Sequence, residues 1–441
     1  MRTTMTAQQQ PPYGVGRSGM QPGYKRVVLA SCFGTAIEWY DFFIYGFLGP
    51  LVFDQLFFPK LDPLIGTIAV FATFSVGFLA RPLGGIVFGH FGDRIGRKSI
   101  LMITLLLMGV GTAAIGLLPT YDQIGIWAPI FLVSLRFLQG FALGGESVGA
   151  LLLTVEGSPT GRRGLFGGVI QAAGPMGVIL ASLAVAIVAR MPNAELLSWG
   201  WRVPFLLSFV LVLLGVYVRL RLEESASFKA AAEHHEIARM PVLEVLTNYM
   251  RPTLITFFIV MAETSFFYLT AIFSLSYGTK GLGLPRTTLT DAILIANCLA
   301  LFTVPLFGVL SDRIGRRPAF LAGILATALY IYPFFLLMAT KETLLVTAAI
   351  TIALGLIHPM MFGPEGSFFA ELFDTRVRFS GVSVGKQIGT VLGGGLAPLI
   401  GTSLLAWSNG SILPVVLYFV ALAVFAFVAA VMAHETKDRT L

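Results

Sequence analysis

Charge is scarce in this sequence. Only 12% of its 441 residues are Asp, Glu, Lys or Arg, about half the share of roughly 25% usual in soluble globular proteins. That shortage excludes an ordinary water-soluble fold. Cysteine is nearly missing too: Cys32 and Cys298 are the two present. Both fall in apolar runs, which excludes a disulfide framework or a thiolate metal site. No glycine-rich phosphate loop, nucleotide fingerprint or Ser–His–Asp pattern at useful spacing occurs, so neither an enzyme nor a bound cofactor is expected. His234 and His235 beside Glu233 and Glu236 read as a solvated charged face, and no metal is expected. Residues 1–24 lack the apolar core of a signal peptide. Rich in Gln, Pro and Gly, they read as a disordered cytoplasmic tail, with Lys25 and Arg26 anchoring the first helix.

What is abundant is apolar surface. Hydrophobic residues make up 56% of the chain and the mean hydropathy is +0.82. A helix needs about 20 mostly apolar residues to span a bilayer. The apolar runs predict twelve such helices, at roughly 27–49, 65–90, 99–118, 127–155, 164–189 and 203–220, then 252–276, 289–311, 318–339, 344–366, 379–404 and 412–433. The fold class is an all-α membrane protein. A tail at 1–24 precedes a six-helix half at 25–220. A polar linker at 221–251 leads into a second six-helix half at 252–433, and a short tail at 434–441 follows.

The net charge is +7, and its placement says more than its sum. Twenty-one of the 30 Lys and Arg fall on the side of the two termini, six on the other, and Arg81, Arg136 and Lys386 lie inside spans. Cytoplasmic loops carry the excess of basic residues, so both termini of this multi-pass membrane protein are expected in the cytoplasm. Short basic clusters between apolar runs are anchors for the bilayer, and no nucleic-acid partner is expected.

The chain also repeats itself. Gly-His-Phe-Gly-Asp-Arg-Ile-Gly-Arg-Lys at 89–98 returns as Gly-Val-Leu-Ser-Asp-Arg-Ile-Gly-Arg-Arg at 308–317, and Glu156…Arg163 is echoed by Glu371…Arg378. Matching segments at matching helix ends predict two parallel halves related by an axis along the membrane normal. Glycines four apart, Gly85 and Gly89, permit close helix contact. Asp93, at a helix end, suits a neighbouring helix N-terminus. Arg94, Arg97 and Lys98 suit the anionic inner surface.

Gly-Asp-Arg-Ile-Gly-Arg-Lys resembles the loop signature of the major facilitator superfamily. Ile37-Glu38-Trp39-Tyr40-Asp41-Phe42-Phe43, Arg81-Pro82-Leu83-Gly84-Gly85, Arg136-Phe137-Leu138-Gln139-Gly140, Gly144-Gly145-Glu146 and Trp199-Gly200-Trp201-Arg202-Val203-Pro204-Phe205 narrow the likeness. Together they are similar to the metabolite:proton symporter family, whose members carry citrate, 2-oxoglutarate, shikimate, or proline and betaine. The chain departs from relatives at Ser147 and Lys386. The resemblance implies secondary active transport by alternating access, with a small metabolite, protons and the lipid bilayer as partners, and a monomer is expected. Asp93, Arg94, Arg97, Arg81, Asp312, Arg313 and Arg316, with Glu156, Arg163, Glu371 and Arg378 at helix ends, are the expected gating residues.

Ionisable groups inside a membrane cost about 2.5–3.5 kcal/mol each on insertion scales, so each needs a partner, water or a task. Glu38 and Asp41 share one helix face, with Tyr45 beyond them. Neighbouring carboxylates out of water bind protons readily, which makes Asp41, with Glu38, the proton-coupling pair; a structural pairing with Arg136 is the alternative. Arg136 offers a planar donor to a carboxylate. Lys386 lies in a glycine-rich span, either touching a substrate anion or paired with Glu365 or Glu263. Gln139, Tyr45, Tyr268 and Glu146 complete the expected substrate site, and Glu365 stands opposite Glu146 in the repeat. His358 reads more as packing than as a proton relay. The leading expectation is proton-coupled uptake of a small organic anion such as a carboxylate. A symporter of a zwitterionic osmolyte, and an efflux antiporter, stay open.

Overall fold

The computed structural model describes residues 24–439, apart from 96, 145–148, 157, 160, 221–240 and 376. The side chains at 24–31, 89–101, 149, 150, 153, 218–220 and 241–243 also lie outside the description. The expected tail at 1–24 and most of the linker therefore fall outside it, as do His234 and His235. From the linker, residues 241–251 are described, beginning with a short helix, Pro241–Asn248.

Twelve long helices carry the fold. In the first half they are α1 (Tyr24–Leu48), α2 (Pro63–Phe88), α3 (Met102–Leu117), α4 (Trp127–Leu143), α5 (Arg163–Val188) and α6 (Asn193–Tyr217). The second half holds α7 (Met250–Gly281), α8 (Arg286–Ile314), α9 (Arg316–Ala339), α10 (Thr343–Leu372), α11 (Arg378–Trp407) and α12 (Leu413–Met432). Nine of these, among the described residues, are long and apolar enough by themselves to cross a membrane. Helices are forced by the solvent: in hydrocarbon every backbone group must find its partner within the chain. The outward faces are apolar, with Val210 and Leu213 on α6, Phe302 and Leu306 on α8, and Leu329 on α9 all exposed, as lipid contact requires.

The halves meet along α5 against α8 and α10, and α2 against α11. Small residues allow the approach: a side chain at Gly164 would strike the backbone oxygen of Gly308. Within the first half, α2 and α4 cross as closely, since a Cβ on Gly140 would strike Gly77. Gly315, at φ 102°, turns the chain between α8 and α9. Wider, five-residue turns interrupt several helices, among them Leu269–Phe273, Ala353–Ile357 and Val391–Gly395. They sit directly after Tyr268, directly before His358 and just beyond Lys386. Such turns re-aim neighbouring side chains and gather at functional sites.

Candidate functional site

The site begins on α1. Asp41 is fully buried and accepts a hydrogen bond from Ser208 on α6. Its Oδ2 is left without a hydrogen-bond partner. Two rings of α1 fix the helix around it: Tyr40 donates to the Pro204 carbonyl at 2.7 Å and Tyr45 to the Val70 carbonyl at 3.3 Å.

Arg136 lies on α4, also fully buried. The Gly77–Gly140 crossing closes α2 over it, and a Cβ on Gly77 would come within 3.0 Å of its Nη2. The guanidinium carbon sits 4.1 Å above the Tyr45 ring and 4.9 Å from that of Phe42. Ring faces attract a cation but satisfy none of its N–H groups. Nη1 donates to Gln139 Oε1 at 2.9 Å, whereas Nε and Nη2 have no hydrogen-bond partner. Gln139 Nε2 passes the chain on to Thr112 on α3 at 2.7 Å, and Thr112 is a polar neighbour of Asp41. A polar line thus runs from Arg136 through Gln139 and Thr112 to Asp41. The sequence alternative of an Asp41–Arg136 ion pair is corrected here: the aspartate bonds a hydroxyl and the arginine an amide.

Arg81 stands over Phe42 at 4.5 Å and Phe78 at 4.2 Å. Tyr268, from α7, crosses the interface to stack on Phe43 at 5.7 Å. It neighbours both Arg81 and Arg136. Trp39 meets Phe267 and Phe362 of the second half at 6.5 and 5.8 Å. An aromatic seam therefore joins the halves where the charged groups lie. Glu38 is buried at its edge.

The second half holds its own charged group. His358 Nε2 pairs with Glu263 and its ring stacks on Phe362, so packing is joined by a polar contact. Lys386 Nζ lies 2.7 Å from Glu365 Oε1. The cation is thus engaged by a carboxylate of its own chain, the pairing alternative rather than an open anion site.

At the basic end of the molecule, three links tie the halves. Asp312 accepts from the backbone N–H of Gly164 at 2.8 Å and of Leu165 at 3.0 Å, at the N-terminus of α5. Arg378 bonds Glu156 at 2.7 Å, and Arg163 approaches Glu371 at 3.9 Å. Arg316 reinforces the set, 2.8 Å from Asp312 and 3.2 Å from Glu371. The Arg313 side chain points away, exposed. Glu435 accepts from the backbone N–H of Arg316, Arg317, Thr436 and Lys437 at 2.8–3.1 Å, capping α9. Arg439 pairs with Asp374. The side chains of Asp93, Arg94 and Arg97, and residue Glu146, lie outside the described residues.

The opposite end is tied as well, by residues the sequence did not single out. Lys280 bonds Asp54 at 2.6 Å and Thr67 at 2.8 Å. Arg190 grips both oxygens of Asp291 at 2.8 and 2.7 Å. Arg286 donates to the carbonyls of Ala189 at 2.7 Å and Met191 at 2.6 Å, just beyond the C-terminus of α5. One signal was available. These three cations lie on the side where positive charge is sparse, so anchoring does not account for them. Among the described residues, polar links therefore join the two halves at both ends.

The family model described as Major Facilitator Superfamily matches residues 31–384. A shikimate transporter of Escherichia coli (strain K12) is 39% identical over 417 residues, covering 94% of this chain and 95% of that protein. A proline/betaine transporter of the same strain is 34% identical, covering 95% and 85%. Among solved structures, a D-xylose-proton symporter superposes with a TM-score of 0.71 at 18% identity, covering 95% of this chain and 100% of that one; this likeness bears on fold. From the twelve helices, the repeated Asp-Arg-Ile-Gly-Arg segments and these matches it follows that the chain belongs to the Major Facilitator Superfamily of membrane transporters, alongside metabolite transporters of the shikimate and proline/betaine kind.

Proposed function

We propose that the protein takes up a small organic anion, a carboxylate, together with protons, by alternating access across the bacterial inner membrane as a monomer. The observation that carries this reading is Arg136. A buried guanidinium with two unpartnered nitrogens, Nε and Nη2, is costly unless an anion completes it. A carboxylate docked in the planar fork would supply the missing acceptors. The line through Gln139 and Thr112 then connects the cargo to Asp41, whose carboxylate would carry the proton. Inward movement of each net positive charge gains about 2.3 kcal/mol per 100 mV of membrane potential, so a surplus of protons over anionic charge drives accumulation. The excess of basic residues supports a cytoplasmic position for the end bearing Arg163, Arg316 and Arg378, together with both termini. The likeness to a shikimate transporter supports a carboxylate cargo.

The test is uptake into proteoliposomes under an imposed pH gradient, with shikimate first in a panel of carboxylates and betaines. Arg136→Lys keeps the charge but loses the fork. It should weaken carboxylate uptake at least tenfold, in the range set by loss of a buried charged hydrogen bond, about 2–5 kcal/mol. Asp41→Asn should abolish gradient-driven accumulation while sparing exchange. No proton-dependent uptake of any carboxylate would sink the reading.

One observation favours a second cargo class. The seam of Trp39, Phe43, Phe267, Tyr268 and Phe362 suits a quaternary ammonium by cation–π attraction. Accumulation of glycine betaine and of no simple carboxylate would select it.

A further inference from the structure

The second half contains a group of ionisable side chains: Glu263 on α7, His358 and Glu365 on α10, and Lys386 on α11. Glu263, His358 and Glu365 are each at most 4% exposed. Two contacts organise them, His358 with Glu263 and Lys386 with Glu365. The charged groups acting on Glu365 are Lys386, Glu263 and His358. From the first half, Leu151 lies against the adjoining Gly366, an apolar cover. Tyr268, next to Glu263 in the interface, is in turn faced by Arg81 and Arg136.

Two carboxylates thus share one permanent cation. The group is neutral only when it holds one proton, between His358 and Glu263, and a buried net charge is strongly disfavoured. This arrangement makes Lys386 the sole permanent counter-charge for Glu365 within the group. Anything that removes Lys386 from Glu365 leaves a buried carboxylate without its permanent cation, and restoring the charge balance of the group takes one further proton.

We propose that Glu365 is a resident substitute for the carboxylate of the cargo, and that exchange at Lys386 is a second proton-coupling step, in the second half of the molecule. In transit past the second half, before or after its stay at Arg136, the cargo carboxylate forms an ion pair with the Lys386 ammonium. The ion pair with Glu365 breaks, and the Glu365 carboxylate binds one proton from solvent to become a carboxylic acid. One anion and one proton enter together, and the group keeps its net charge. Leaving reverses both. The step rests on the anion-transport reading, but its central claim concerns the protein without cargo.

That claim is tested on purified full-length protein with no ligand. Lys386→Met mimics a lysine that is engaged elsewhere. Infrared spectroscopy in deuterated and ordinary water should then show a new protonated-carboxyl C=O band, absent from the unaltered protein. The band should vanish in the Lys386→Met/Glu365→Gln double variant and fail to appear in Lys386→Arg, which keeps the cation. Gel-filtration profile and helical circular dichroism identify variants that have not folded; the double variant, which removes both charges of the pair together, guards against loss of the single one. No new band in a folded Lys386→Met protein, or a band that survives Glu365→Gln, overturns the proposal. In proteoliposomes Glu365→Gln should uncouple cargo from proton, so that pH-gradient-driven accumulation falls at least tenfold relative to the exchange rate of the same variant. Undiminished accumulation would also overturn it. Failure of the unaltered protein to move any carboxylate would instead count against the anion reading and leave the infrared result to decide the role of Glu365.

Discussion

Arg136 and Lys386 are both cations within the membrane, but their neighbours give them different standing. Arg136 lacks hydrogen-bond partners for two nitrogens, while Lys386 already holds a carboxylate. Sequence spacing finds the local member of each contact and misses the distant one. Gln139 is one turn from Arg136 and was legible beside it. Ser208, which bonds Asp41, is 167 residues away, and a lone serine in an apolar helix carries no signal. The same holds for Glu435, a surface glutamate by composition. Burial works to raise its pKa, but donation from the backbone N–H groups of Arg316, Lys437, Arg317 and Thr436 outweighs that and holds it below the ordinary glutamate range. Its folded value being the lower, its stabilising contribution is full above the unfolded value of about 4.3 and fades as pH falls through the folded one. Melting curves of unaltered protein and Glu435→Gln should therefore differ at pH 7 and converge only as pH falls through the lowered folded value. A gap that persists in acid would refute the carboxylate cap.

At the scale of elements, the twelve helices were legible because apolar runs of spanning length admit no other structure in lipid. The wider turns were not. A five-residue turn such as Ala353–Ile357 is a response to packing and leaves no residue signature. Helix crossings fall between these cases: glycine spacing suggested contact, but not that Gly77 meets Gly140. This crossing encloses Arg136, so Gly140→Ala should act twice. Overpacking of this kind costs about 1–3 kcal/mol, seen as a lower melting temperature in detergent, and separation of α2 from α4 should expose the guanidinium and weaken carboxylate uptake. A stable variant with unchanged uptake would show that the close approach is dispensable.

Across the whole molecule the repeat foretold the two halves but gave the latches unevenly. Asp312, on α8, stood out because its segment recurs, and its carboxylate lies against the N-terminus of α5. The opposite latch of Lys280, Arg190 and Arg286 has no repeated motif behind it. An acid at a helix N-terminus is worth up to about 2 kcal/mol in partly buried settings, a shift in populations of roughly 5- to 30-fold for one or two kcal/mol. Asp312→Asn should move the protein toward opening at the basic end by that order. Arg286→Gln should favour opening at the other. Spin-label distances across each end measure both, and movement of the same end in the two variants would contradict the assignment.

α8 holds α5 at both tips, with an acid at its positive pole and a base at its negative pole. At about 1.5 Å per residue, the 26 residues of α5 form a beam nearly as long as the membrane is thick. A beam that tilts about its middle lifts one tip as it lowers the other, so in either open state only one of its two grips survives. Their difference in strength then acts as the tare on a balance. A substitution at one membrane face reads out as occupancy at the other, without any signal passing through the cargo site between them.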